Sequence, residues 1–224
     1  DLVEALVRGD TATTPITAFP AAPTALAAVT SLAGRDRKVS LAEAAAARLR
    51  TVREDAWVHL GTGLEAAHLE DFDAMLTPSG LDWSRAPSHP DAFRTPLDRA
   101  AWTVADTLGT RGPVTVDVSA CAAGGLSLLS GLRILRAGLA DQVVVGGVDA
   151  MVNPLGYGGM ERLGALSPDG AARPFDTRRN ALLIGEGIAL FVLERPSDTP
   201  ALGRLLGGAS TQDGYRVTAP RPDG

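Results

Sequence analysis

One cysteine, Cys121, stands among 224 residues. An internal disulfide framework is thereby excluded, and so is any metal site built from several cysteines. Basic charge is not in excess: 21 Lys and Arg face 26 Asp and Glu, for a formal net charge of -5. With no basic block in the sequence, nucleic acid and anionic membrane surfaces are poor partners. There is no run of about 18 apolar residues and no signal-peptide pattern, so the expected setting is the cytoplasm. The three histidines, His59, His68 and His89, fall in no metal-ligand spacing. Asp1 rather than Met opens the sequence, which leaves room for a preceding segment.

What is present is an aliphatic chain with alternating periodicities. At 45% hydrophobic and 21% charged, it has the composition of a folded domain with one sizeable core. Residues 2–8 have helical spacing and stop at Gly9, and 11–31, rich in Thr, Pro and Ala, read as an irregular connection. Ser40 with Glu43 three residues later predicts a capping-box start for a helix over 40–52. A short strand over 56–60 runs into Gly61-Thr-Gly63, and residues 77–96, with four prolines, read as a long excursion. A second amphipathic helix is expected to end at Leu108, before Gly109. Val114 to Val118 alternates at period two, as a strand with two different faces does. Apolar runs at 143–148 and 187–194 are expected strands, with 204–210 a third candidate. Strands alternating with helices predict an α/β layered domain with a largely parallel sheet.

Between the period-two strand and the run at 143–148 lies a segment of unusual composition. Residues 121–137 have the length of a helix, yet the first two-thirds carry no charge on any face. Such a helix is expected to be buried on every side, its glycines and alanines admitting close backbone approach. Arg133 and Arg136 reach water only in the last turn, where they complement the helix dipole. Cys121 therefore sits where a strand turns into a buried helix. Unpaired N–H groups and the positive end of the dipole at such a start favour thiolate over thiol. The Cys121 N–H could also contribute to an oxyanion hole, in the logic of a strand-to-helix nucleophile elbow. Taken alone, Cys121 reads as well as a small buried apolar residue.

Ser119-Ala-Cys-Ala-Ala-Gly-Gly resembles the active-site segment of the β-ketoacyl synthases, and further segments match in order. These are Gly109-Thr-Arg-Gly-Pro113, Asp141-Gln-Val-Val-Val-Gly-Gly-Val-Asp-Ala150, Gly164-Ala-Leu-Ser-Pro-Asp-Gly170, Arg173-Pro-Phe-Asp176, Gly185-Glu-Gly187, and Thr218-Ala-Pro220 with Pro222-Asp-Gly224. They cover residues 95–224, and the first 94 fit more loosely. The resemblance implies the thiolase-like fold, two similar halves stacked in five layers, α-β-α-β-α. Residues 1–224 would be the amino-terminal half. The strand before the first helix and the whole second half would lie outside this sequence.

The resemblance also implies chemistry. Cys121 would be the acyl-accepting nucleophile, taking its group from an acyl carrier protein. In this family two histidines of the second half, in segments such as His-Gly-Thr-Gly-Thr, support decarboxylation of a malonyl extender. The three histidines here match no such motif and are expected to be structural or surface residues. No metal or bound cofactor is expected, the phosphopantetheine arm of the carrier being substrate.

Three further residues are placed at the substrate by resemblance. Glu65, in Gly61-Thr-Gly-Leu-Glu-Ala-Ala67, would lie near the far end of the acyl pocket, blocking it or pointing into solvent. Met160 stands where many relatives have a pocket-lining phenylalanine, and core packing is its other reading. Thr218 matches a threonine that contacts the pantetheine arm. Asn180 departs from the usual aspartate, and Glu186 reads as a turn-holding group. Arg133, Arg136, Arg178 and Arg179 are candidates for an acidic-carrier patch or plain solvated surface. A homodimer, or a heterodimer with a ketosynthase-like chain, is expected through residues 114–118. Two other functions stay open. One is a non-catalytic partner subunit of the chain-length-factor type, against which the intact cysteine weighs. The other is an acyltransferase without condensation.

Overall fold

The computed structural model describes residues 2–21, 26–28, 36–63, 69–86, 96–197, 200–216 and 221–223. Helix α1 (Leu2–Arg8) ends at Gly9, whose φ of 72° breaks the helical path. Two short strands follow, β1 (Thr13–Pro15) and β2 (Leu26–Ala28). The expected irregular stretch at 11–31 thus contains sheet, because β2 finds a partner far along the chain that local composition cannot announce. Helix α2 (Arg37–Ala46) starts a turn earlier than the capping-box pattern predicts. Asp36 is its N-cap, accepting from the Val39 N–H at 3.1 Å, while Ser40 spends its hydroxyl on the Asp36 carbonyl.

Strand β3 (Trp57–Thr62) lies as expected. The proline-rich excursion includes a small hairpin, β4 (Leu76–Thr77) with β5 (Gly80–Leu81). Helix α3 (Arg99–Leu108) stops at Gly109 in a left-handed conformation. Then come β6 (Val114–Asp117), α4 (Ala123–Arg136), β7 (Gln142–Ala150), α5 (Pro154–Arg162) and β8 (Ile184–Glu194). The expected strand at 204–210 does not form, and those residues lie exposed with no strand beside them among the described residues.

The main sheet runs in the order β1-β2-β8-β7-β3-β6. Its β6-β3-β7 part is parallel, as the alternation of strands and helices requires. Strand β8 pairs antiparallel with β7, so the sheet is mixed. After α5 the chain re-enters the sheet from the end at which β7 leaves it. On one face, α2 and α3 pack Leu41, Ala42, Ala46, Ala101 and Val104 onto Val58, Leu60, Val144 and Val148. On the other, α4 packs Leu135, Leu128 and Ile134 onto Trp57, Val143, Val145 and Leu193.

Helix α4 does not have the all-round burial that its charge-free sequence predicts. Ala123, Ser127, Leu129, Gly131 and Leu135 are buried, whereas Gly125 is exposed and Leu126, Leu128 and Leu132 are half-buried. Phe191, directly across from Val145 and hence on the same sheet face, is 49% exposed.

Candidate active site at the strand-to-helix elbow

After Asp117 the chain leaves β6, passes Val118 and Ser119, and turns sharply at Ala120. Ala120 has φ of 50°, a left-handed conformation in which its Cβ is strained. A short 3₁₀ turn over Ala120–Ala122 carries Cys121, and α4 begins two residues beyond the cysteine. The turn is closed by the Ala122 N–H donating to the Ser119 carbonyl at 3.1 Å, and the Ser119 hydroxyl donates to the Asp117 carboxylate. Cys121 itself is exposed, and its N–H makes no backbone hydrogen bond among the described residues. The strain, the turn and the helix start combine to present a thiol with a free N–H beside it. This is the arrangement that thioester exchange needs: a nucleophile with a donor where a carbonyl oxygen would gain charge.

The first turns of α4 are held to the sheet by residues without bulk. A side chain on Gly61 of β3 would collide with the Ala123 carbonyl and stand 2.7 Å from the Gly124 nitrogen. One on Gly147 of β7 would come within 3.1 Å of the Gly124 Cα. One turn on, Ser127 bonds both strands through its hydroxyl, to the His59 carbonyl at 2.6 Å and the Gly146 N–H at 3.0 Å. Gly131 completes the stripe, since a Cβ there would lie 2.5 Å from Val145 Cγ1. The close backbone approach expected from the glycines and alanines is therefore present. Ser127 went unrecognised in the sequence, where it is one small residue among many.

The other residues singled out in the sequence separate. Met160, on α5, is half-buried against a cluster of Phe19, Ala27, Val152, Tyr157 and Ile184, so the core-packing reading has direct contacts behind it. Glu65 and Thr218 lie outside the described residues, as do His68 and His89. His59 shares a hydrogen bond of 2.7 Å with the Thr115 hydroxyl on β6. Burial pushes its imidazole below the ordinary value, with the nearby Asp117 charge pulling the other way. Glu186 is fully buried and paired with Arg37, whose Nε donates to it at 2.6 Å. That contact ties α2 to β8, so Glu186 holds a helix to the sheet from within a strand rather than the turn expected of it. Beside it, the buried Lys38 approaches Asp149 at 3.4 Å.

Of the four candidate patch arginines, two are engaged in their own loop. Arg178 pairs with Asp176 at 2.8 Å, and its hydrogen bonds hold that carboxyl down to about 2. Arg179 donates to the Asp176 carbonyl. On α4, Arg133 is exposed and Arg136 donates to the Leu206 carbonyl at 2.8 Å. Asn180 stands 3.3 Å from Asp169, which the Ser167 hydroxyl, Asn180 and Arg173 together hold well below the usual carboxylate range. No helix among the described residues is long and apolar enough to cross a membrane.

Cys121 thus stands exposed on a strained strand-to-helix elbow, over a mixed sheet covered by helices on both faces. Residues 36–199 match the β-ketoacyl synthase, N-terminal domain, and the chain belongs to that family with the thiolase-like fold of its amino-terminal half. It is 35% identical over 181 residues to 3-oxoacyl-[acyl-carrier-protein] synthase 2 of Synechocystis, covering 75% of this chain and 42% of the relative. The Staphylococcus aureus protein of the same name is 30% identical over 184 residues, covering 75% and 43% respectively. The chain thus spans less than half the length of these curated relatives. Among solved structures, the ishigamide ketosynthase/chain length factor superposes with a TM-score of 0.61 at 25% identity, over 85% of this chain and 53% of that one. A type II polyketide synthase acyl carrier protein in complex with its ketosynthase gives 0.56 at 24% identity, over 76% and 47%.

Proposed function

We propose that this chain is the nucleophile-bearing half of a condensing enzyme and that Cys121 is its acyl acceptor. The observation that carries this reading is the elbow, with Ala120 strained and Cys121 exposed two residues before a helix clamped to the sheet. In the proposed step, the Cys121 thiolate attacks the carbonyl of a carrier-bound thioester. The carbonyl oxygen takes up the negative charge, with the Cys121 N–H as one donor to it. Collapse breaks the bond to the carrier's sulfur, which leaves as the pantetheine thiolate and takes a proton, while the acyl group stays on Cys121. Condensation follows when a malonyl carrier loses carbon dioxide and its carbanion attacks the new thioester. The histidines that assist that second step come from a second half in the family, and none of the histidines here matches their motif. The scheme calls on no metal or bound cofactor.

Residue roles beyond the thiol follow the family resemblance. Met160 lines the acyl site, Thr218 meets the pantetheine arm, and Glu65 lies at the pocket's far end. The acyl carrier protein is the partner for delivery. Among the described residues, strand β6 lies at the edge of the sheet beside β3, and its other edge is offered to a second copy or a ketosynthase-like chain. A chain-length-factor role is the weaker alternative, since such subunits typically lack the nucleophile that Cys121 supplies.

Intact mass before and after incubation with an acyl-loaded carrier protein tests this reading, with Cys121→Ala as control. The expected result is a gain of one acyl group that depends on Cys121, and no elongation on malonyl carrier until the second half is supplied. No mass gain, or an equal gain in Cys121→Ala, would contradict it.

A further inference from the structure

We infer that Ser127 is a positioning residue for the Cys121 thiol, fixing α4 on the sheet through two directed hydrogen bonds; this rests on the acyl-transfer reading above. Packing of aliphatic side chains is non-directional, so an apolar helix on an apolar sheet resists sliding and rotation only weakly. A hydrogen bond has a direction and a narrow length range, and Ser127 makes two of them to different strands. Its hydroxyl donates to the His59 carbonyl of β3 at 2.6 Å and accepts from the Gly146 N–H of β7 at 3.0 Å. His59 and Val145 are partners in the parallel register, so the hydroxyl is seated across the β3–β7 seam. The side chain is fully buried.

The backbone is deformed to make this contact. Gly146 has φ of 152°, a conformation that only glycine adopts readily, and a Cβ there would run into the Ala189 carbonyl of β8. In that conformation its N–H is donated to the Ser127 hydroxyl on the helix. Nearer the thiol, Gly61 and Gly147 let the first turn of α4 touch both strands. Cys121 precedes α4 by two residues, so an axial slip of the helix carries the sulfur with it at about 1.5 Å per residue. A displacement of about 1 Å at a reacting atom can lower a rate on the order of 100-fold. The hydroxyl is therefore expected to act on the rate of transfer rather than on carrier binding.

The test compares Ser127→Ala, Ser127→Thr and Leu135→Ala with the unchanged protein. Leu135 is buried near the far end of the same helix, in a cluster with Val143 and Val145, and its truncation removes packing while leaving both Ser127 hydrogen bonds in place. Two readouts are taken: transfer from acyl carrier protein to Cys121, resolved into rate constant and KM, and alkylation of Cys121 by iodoacetamide. Ser127→Ala is expected to lower the transfer rate constant by about 10- to 100-fold with KM little changed. Ser127→Thr, which keeps the hydroxyl, recovers most of the rate, and Leu135→Ala lowers the melting temperature with the rate held within about threefold. Unchanged kinetics in Ser127→Ala, or an equal loss in Leu135→Ala, would overturn the inference. If the unchanged protein is alkylated at Cys121 but never acylated, the acyl-transfer reading is what has failed. The alkylation rates then decide on Ser127, a change of about threefold or more confined to Ser127→Ala supporting it and equal rates overturning it. Should Ser127→Ala not fold, hydrogen exchange at the Gly146 amide decides, slow exchange supporting the bond and fast exchange overturning it.

Discussion

The two faces of the sheet are covered by different kinds of helix. On the α2–α3 side, apolar residues at helical spacing meet the sheet while Glu43, Asp106 and Thr107 stay in water. That layer has an apolar inner stripe and a largely polar outer surface, on which Trp102 is left half exposed. On the α4 side the inner contacts are as close, through Gly61, Gly147 and Ser127. The outer surface of α4 nevertheless carries Leu126, Leu132 and Gly125 in place of charges until Arg133, and Phe191 lies open beside it. A helix without charges on its outer side is suited to a second layer of cover. Cys121 stands exposed two residues before that helix, and on the proposed reading a second half covers the open side and brings its own residues to the thiol.

The strongest way to break this comparison is at the seam under the thiol. Gly61→Ala places a methyl against the Ala123 carbonyl and must lift α4 from β3. It is expected to abolish Cys121 acylation and to cost about 2–3 kcal/mol in denaturant unfolding. A variant with normal acylation would show that the helix start is not held there. On the α2–α3 face, Leu60→Ala leaves a cavity among α2, α3 and the sheet, and about 2–4 kcal/mol of stability is expected to go. Phe191→Ser on the open face should change the stability of the chain by less than about 0.5 kcal/mol, yet weaken association with a second half in a titration. A loss comparable to Leu60→Ala would show that Phe191 is already part of the core.

Smaller effects sharpen the picture. Ala120→Gly relieves a left-handed strain worth about 1 kcal/mol, so the variant is expected to melt higher while its acyl transfer slows, the turn no longer being held in one shape. The smallest effect concerns His59. Burial lowers its folded pKa below the ordinary 6.5, so below that pH the unfolded chain binds a proton that the folded chain refuses. Its contribution is fully present above pH 6.5 and is lost as pH falls toward the lower folded value, and His59→Gln should flatten the fall in melting temperature between pH 7.5 and 5.

Much of this was legible in the sequence, for reasons that can be named. The ends of α1 and α3 follow from Gly9 and Gly109, and β3, β6, β7 and β8 from apolar runs and alternation. The elbow followed from a strand, a cysteine and a charge-free helix in succession. What escaped was decided by contacts remote in sequence. Strand β2 exists because β8 pairs with it, and the cap of α2 is Asp36 although Ser40 offers the better-known pattern. Helix α4 is buried on one side only, since absence of charge shows that a surface can be covered but not by which layer. Ser127 escaped because only the positions of His59 and Gly146 give its hydroxyl a meaning.

The difference between the two faces is tested most directly by footprinting, with a carbene-generating reagent, this chain alone and then mixed with the carboxy-terminal half of a matching ketosynthase. The expected result is strong labelling of Phe191 and Leu132 in the chain alone, protected on mixing, with Trp102 on the outside of α3 labelled equally in both. Labelling of Phe191 and Leu132 that does not change when the second half binds would contradict the assignment of the α4 face as the surface that completes the site.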